Sequence, residues 1–160
     1  METVAGYPHV YIAPDPVRTY ERYYFHKDIN GQYVVQIQEY NNPTLEADYA
    51  YVHFTLPFNT PLSDGNIYVM GELTNWGKAE GAKMTYNDNR KAYETVLYLK
   101  QGYYNYVYGY SDSQKPVPEV TFIEGNHFDT ENNYTILIYY RPFGTRYDQL
   151  IGIQTVNSLY

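Results

Sequence analysis

Oxygen donors crowd one short stretch of the chain, Glu124-Gly125-Asn126-His127-Phe128-Asp129-Thr130-Glu131-Asn132-Asn133, and such groups suit Ca2+ or paired-carboxylate chemistry. The stretch lacks the Asp-x-Asp-x-Asp-Gly order of an EF-hand and reads as a solvated loop. Joined by Asp112 or Glu119 it would resemble a glycosidase acid and nucleophile only if two carboxylates shared a cleft at roughly 5–10 Å. The four histidines, His9, His26, His53 and His127, include no pair at ligand spacing, and there is no cysteine to complete a thiolate site or act as nucleophile. No Gly-rich phosphate loop opens a helix, and no Gly-x-Ser-x-Gly elbow is present. No catalytic residue, metal site or cofactor is expected, and the chain is read as a non-enzyme.

What remains is aromatic chemistry. Tyrosine accounts for 23 of 160 residues, against 6 Phe and 1 Trp. Each tyrosine joins a large apolar ring to a hydroxyl that wants water or a partner, which suits strands with one wet face and recognition surfaces. Tyr49 and Tyr51 share one face of a candidate strand opposite Ala50 and Val52, so either pair could be the wet one. Tyr103 falls opposite Tyr104, Tyr106, Tyr108 and Tyr110. Tyr49, Tyr51 and Tyr103 are therefore the candidate protein-interface residues, since exposed tyrosines are favoured interface anchors.

The charge sets the partner class. Eleven Lys+Arg against 18 Asp+Glu leave a formal charge of −7, and the basic residues are dispersed, so no nucleic-acid partner is expected. No run approaches the roughly 18 apolar residues of a membrane helix, so no direct membrane insertion is expected. The segment from Met1 to Val10 lacks the basic and apolar parts of a signal peptide.

The elements that must carry these residues are strands. Period-two patterning dominates and predicts an all-β chain with strands at Tyr20–Lys27, Gln32–Tyr40, Ala47–Leu56, Asn66–Leu73, Lys83–Asn87, Ala92–Leu99, Tyr103–Ser111, Asn133–Arg141 and Leu150–Asn157. This number of short strands points to a sandwich. Asp28-Ile29-Asn30-Gly31 would close a hairpin between the first two, Asn87-Asp88-Asn89-Arg90 turns a later pair, and Gln101-Gly102 reverses the chain again. The proline-bearing stretches Tyr7–Val17 and Lys115–Pro118 are expected to be extended connectors.

Two resemblances rest on these residues. Gly71, Leu73, Asn75, Trp76, Met84, Tyr93, Leu97, Leu99, Gly102, Tyr104, Tyr106 and Tyr108 match the pattern of the early-set immunoglobulin-like sandwich of glycogen- and starch-binding modules. Val107 stands where those modules place a lysine, and 115–119 offers no second Trp. The resemblance thus implies an immunoglobulin-like β-sandwich and, as the alternative function, a carbohydrate-binding module for α-glucan-like oligosaccharide contacted by Trp76 and Asn75.

The second resemblance runs through the whole chain. Ala5-Gly6-Tyr7-Pro8-His9-Val10-Tyr11, Tyr23-Tyr24-Phe25, Gln36-Ile37-Gln38-Glu39-Tyr40, the Gly71–Trp76 turn, Gly125–Asn132, Tyr139-Tyr140-Arg141-Pro142 and Asp148-Gln149-Leu150-Ile151-Gly152 together resemble the C-terminal part of a Bacteroidota family that includes the plug of the type IX secretion system. It implies an exported, periplasmic, non-catalytic protein-interaction domain. Its partner would be an outer-membrane translocon protein, with a signal and a β-rich domain ahead of this segment. The expected organisation is an N-terminal arm and β-hairpin over 1–46 and an immunoglobulin-like sandwich over 47–160, packed as one compact unit.

Overall fold

The computed structural model describes residues 2–21, 28–37, 42–127 and 130–158. Its strands are β1 (Glu2–Val4), β2 (Tyr7–Tyr11), β3 (Tyr33–Val35), β4 (Tyr49–Pro57), β5 (Asn66–Met70), β6 (Thr85–Asn87), β7 (Ala92–Lys100), β8 (Gly102–Tyr104), β9 (Val107–Ser111), β10 (Asn133–Tyr140) and β11 (Gln149–Asn157). One-turn helices α1 (Pro43–Glu46) and α2 (Thr121–Glu124), and a 3-10 turn at Glu72–Thr74, are the helical elements. The chain is an all-β sandwich, as its alternation predicts. It forms two compact units, Met1–Asn126 and His127–Tyr160, so the expected division after residue 46 falls inside the first of them.

In the first unit one layer is a five-stranded sheet in the order β1-β2-β4-β7-β6. The other layer centres on the antiparallel pair β5-β9, extended by bridges from Tyr68 to Lys83 and from Tyr110 to Glu119. Phe54 and Leu56 of β4, with Tyr93 and Leu97 of β7, meet Ile67 and Val69 of β5, Tyr108 of β9, Met84 and Ile123 in one buried cluster. Fully burying an aliphatic side chain of this size stabilises the fold by about 1.5–3 kcal/mol.

A core this rich in tyrosine works because the buried hydroxyls find partners. Tyr93 Oη accepts the Leu62 amide at 2.8 Å, and Tyr86 Oη donates to the Phe58 carbonyl at 2.9 Å. Tyr104 donates to the Lys100 carbonyl at 2.6 Å. Tyr106 and Tyr108 both donate to Asp15 Oδ2, at 2.6 and 3.1 Å.

Two expectations need correcting, and a third falls outside the described residues. Tyr7–Val17 is not all connector: Tyr7–Tyr11 is β2, paired antiparallel with β1 and parallel with β4. Pro8 is tolerated because the ladder with β4 begins only at His9↔Tyr51, so its missing amide removes no bond there. Ala5 and Gly6, at φ 50° and 85°, make the tight turn that a two-residue hairpin demands. Next, Tyr103–Ser111 is two strands, because β8 pairs with β3 whereas β9 pairs with β5. Lastly, the strand Tyr20–Lys27 falls largely on residues 22–27, outside the described residues, as do Gln38, Glu39 and Tyr40. The Asn30-Gly31 turn is present at φ 54° and 75°.

Candidate protein-docking face

The outer face of the five-stranded sheet carries a continuous aromatic ladder. Alternation along β2 puts Tyr7, His9 and Tyr11 on that face while Val10 turns toward the core; along β4 it puts Tyr49, Tyr51 and His53 there, with Phe54 and Leu56 inward. Tyr98 of β7 completes the row opposite Tyr51. Parallel register aligns His9 with Tyr51 and Tyr11 with His53. The rings then stack across strands: Tyr11 on His53 at 4.2 Å, His9 on Tyr51 at 5.0 Å, Tyr49 on Tyr98 at 5.0 Å, and Tyr51 against Tyr98 at 4.8 Å. Tyr7 meets Tyr51 edge-on, and Lys100 Nζ lies 5.4 Å above the Tyr49 ring, within cation–π range.

Stacking decides what the face offers. Because the ring faces lean on one another, edges and hydroxyls point to solvent. Tyr7, Tyr11, Tyr49 and Tyr98 are each about half exposed, at 54, 53, 45 and 52%. The hydroxyls of Tyr7, Tyr11, Tyr49, Tyr51 and Tyr98 have no hydrogen-bond partner among the described residues. Rigid rings with open hydroxyls are the anchors that protein interfaces favour.

His9 and His53, 44 positions apart, meet inside the ladder with Nδ1 of one 2.8 Å from Nε2 of the other. One ring must donate and the other accept, so this bond cannot survive protonation of both. Burial, and then the His9 charge, lower the His53 pKa. The unfolded chain therefore takes up the proton first, and stability is expected to fall as pH drops below about 6.5 toward the lower folded-state value. Thermal melts at pH 7.5, 6.5 and 5.5 check this; His53→Asn should flatten the slope, and an unchanged slope would refute the assignment.

The expected site residues do not converge on one place. Tyr49 and Tyr51 lie in the ladder, so they are the wet pair and Ala50 and Val52 face inward. Tyr103, 51% exposed, stands on the separate β3-β8 pair opposite Val34, with the Asn105 amide donating to its hydroxyl at 3.4 Å. Asn75 and Trp76 form the turn after the 3-10 segment, both in the left-handed region at φ 48° and 56°. The Trp76 amide donates to the Gly71 carbonyl at 2.8 Å. Its ring lies against Gly31, where an added Cβ would come within 2.6 Å of the indole, yet the residue remains 49% exposed.

The other oxygen-rich groups are engaged structurally. Glu124 accepts the Tyr108 amide at 2.8 Å and pairs with Arg18 at 3.4 Å, and burial raises its pKa. Asp112 accepts the Gln114 and Lys115 amides in a turn, while Glu119 pairs with Lys115. Phe128 and Asp129 lie outside the described residues. Among the described residues no three of His, Cys, Asp and Glu gather as metal ligands, and no helix is long and apolar enough to cross a membrane.

No protein-family model matches the chain, and no curated protein matches it. A crystal structure of a hypothetical protein from Parabacteroides merdae is similar to it, with 42% sequence identity and a TM-score of 0.85 over 98% of this chain. The match covers 39% of that protein's chain, so this chain corresponds to well under half of its neighbour and shares with it the all-β architecture described above.

Proposed function

We propose that this chain is a non-catalytic protein-interaction domain that docks a protein partner on the Tyr7, Tyr11, Tyr49, Tyr51 and Tyr98 face. The observation that carries the reading is the stacking itself, which turns ring edges and free hydroxyls outward and hides the ring faces a sugar would need. The partner assigned is an outer-membrane translocon protein, closed from its periplasmic side by a plug that includes this domain. That assignment draws on the chain-long resemblance to the type IX plug family. The immunoglobulin-like class of the sandwich is likewise a proposal, supported by Gly71 opening the Trp76 turn and by Met84, Leu97 and Tyr108 filling the core.

The test is retention of a large outer-membrane β-barrel, identified by mass, on the immobilised chain. Hot-spot tyrosines are worth about 2 kcal/mol or more each, so Tyr51→Ser alone is expected to weaken retention about 30-fold, and Tyr51→Ser with Tyr98→Ser several hundred-fold. Equal retention by both proteins would overturn the docking face, and absence of the barrel from both would overturn the translocon assignment.

Half-exposed Trp76 supports one alternative, an α-glucan-binding module. Trp76 is the only tryptophan in the sequence, so its emission reports that site alone. With the Cη2 edge of the indole held on Gly31 and no second platform ring beside it among the described residues, titration with a linear maltooligosaccharide is expected to leave the emission unchanged. A saturable shift would favour the sugar-binding reading.

A further inference from the structure

The ladder that joins β2 to β4 is short, running from His9↔Tyr51 to Tyr11↔His53, and a histidine stands at each end of it. The two imidazoles close on one another across the strands, with Nδ1 of His9 2.8 Å from Nε2 of His53. Both residues are half-buried. Each ring is backed by a tyrosine, Tyr51 stacking on His9 with 27° between the planes and Tyr11 on His53 with 19°.

Two imidazole nitrogens this close match the bite of one transition-metal ion. With metal–nitrogen bonds of about 2.0–2.1 Å, neighbouring nitrogens lie about 2.9 Å apart around a square-planar ion and about 3.3 Å apart around a tetrahedral one. The pair therefore has to widen by at most about 0.5 Å, and each ring to tilt so that its lone pair leaves the line between them. We propose that His9 Nδ1 and His53 Nε2 chelate one divalent first-row transition ion on the outer face of the sheet, with water filling the remaining positions.

The proton now shared by the pair does not stand in the way. One ring donates and the other accepts, so binding requires the donor to carry its proton on its outer nitrogen, a change of tautomer with no change of charge. Neither outer nitrogen, His9 Nε2 or His53 Nδ1, has a hydrogen-bond partner among the described residues, so water accepts the proton there.

Charge favours a cation at this place. Glu2 stands directly opposite His9 in the β1-β2 pair, on the same face of the sheet, and the Glu94 and Glu2 carboxylates both act on His53. The opposing charge is Arg90, which is paired with Glu94 Oε1 at 2.7 Å. No third His, Cys, Asp or Glu joins the two rings among the described residues, so the site is open and the ion's own preference sets the affinity. Neutral imidazoles take Cu2+ ahead of Ni2+ and Zn2+, while Ca2+ and Mg2+ demand oxygen ligands. A bound ion replaces one hydrogen bond by two coordinate bonds and clamps β2 to β4 across their short ladder.

Equilibrium dialysis of the whole untagged chain against Cu2+ at pH 7.5 tests the site, and electron paramagnetic resonance reads the ligands of the bound ion. One ion per chain is expected, removable by EDTA, with hyperfine splitting from two imidazole nitrogens. Loss of an outer-shell partner alone costs a metal site about 10–100-fold, so His9→Asn and His53→Asn should each weaken binding by at least about 100-fold. His127→Asn should bind as the parent does. Trp76 emission and the melting temperature confirm that each variant stays folded; should an asparagine variant fail that check, glutamine at the same position repeats the test. Absence of saturable Cu2+ uptake overturns the proposal. So does uptake that survives either substitution, which assigns the ion to other donors, and so does equal competition by Ca2+, which assigns it to carboxylates. The site stands apart from the docking reading, which Tyr51→Ser with Tyr98→Ser tests without metal.

Discussion

Asp15→Ala is expected to lower the unfolding free energy by about 3 kcal/mol, more than any surface carboxylate normally contributes. Asp15 sits in the segment that follows β2, its amide bonded to the Thr55 carbonyl at 3.2 Å. Its Oδ2 accepts both Tyr106 and Tyr108, and its Oδ1 accepts Arg18 Nη2 at 3.0 Å. Arg18 reaches on to Glu124, so one network ties the segment after β2 to β9 and α2. Removing the carboxylate leaves two hydroxyls without their acceptor, one of them on Tyr108, which is 1% exposed. Each unsatisfied buried group costs about 1–3 kcal/mol. Asp15→Asn keeps an acceptor and should cost about half as much. A loss below about 1 kcal/mol in urea titrations of the alanine variant would show that the network is not what holds the segment.

The same network gives an alkaline signature. Burial raises the pKa of Tyr106, with Asp15 adding to the effect; burial also raises that of Tyr108, followed by Tyr106 and then Asp15. A tyrosine whose folded pKa is raised keeps its proton when the unfolded chain has lost it. Stability is therefore full below about pH 10 and falls as pH rises beyond it. Melting temperatures at pH 9, 10 and 11 should trace that fall.

Which parts of this arrangement were legible beforehand follows from how far each signal reaches. The alternation in Ala92–Leu99, Asn133–Arg141 and Leu150–Asn157 located β7, β10 and β11 to within a residue or so at each end, because period two is a local property of the chain. β2 was hidden because Pro8 reads as a breaker, and the register that tolerates it is set by β4, some 40 residues away. The ladder was half legible. Tyr49 and Tyr51 stood out, but His9, Tyr11, His53 and Tyr98 join them only through cross-strand register, which composition does not encode. The spacing Tyr7-x-His9-x-Tyr11 beside Tyr49-x-Tyr51-x-His53 is the signal that would have found them. The Asp15 network was invisible for the same reason, since its members come from three separate stretches of the chain, 15–18, 106–108 and Glu124.

Gly71→Ala is expected to cost about 3–4 kcal/mol, because steric overlap adds to backbone strain. Gly71 stands at φ 146°, a region that L side chains rarely adopt. An added Cβ would lie 2.7 Å from the Asn105 carbonyl oxygen and 2.8 Å from the Leu73 side chain. The first obstacle is backbone and cannot rotate away. Asn105 is itself fixed, with its amide bonded to the Gln32 carbonyl at 3.0 Å and its side chain accepting the Ile29 amide at 2.6 Å. The Gly71 carbonyl meanwhile accepts the Thr74 and Trp76 amides at 3.1 and 2.8 Å, and Thr74 Oγ1 donates to the Val69 carbonyl at 2.8 Å. Displacing Gly71 thus loosens the Trp76 turn and the 28–32 turn beneath it at once. For a chain of this size the melting temperature should drop by roughly 10 °C, and Trp76 emission should shift to the red as its ring leaves Gly31. Gly31→Ala, which meets the movable indole rather than backbone, should cost less. A drop under about 2 °C for Gly71→Ala, or a larger one for Gly31→Ala, would show that the turn yields where the geometry says it cannot.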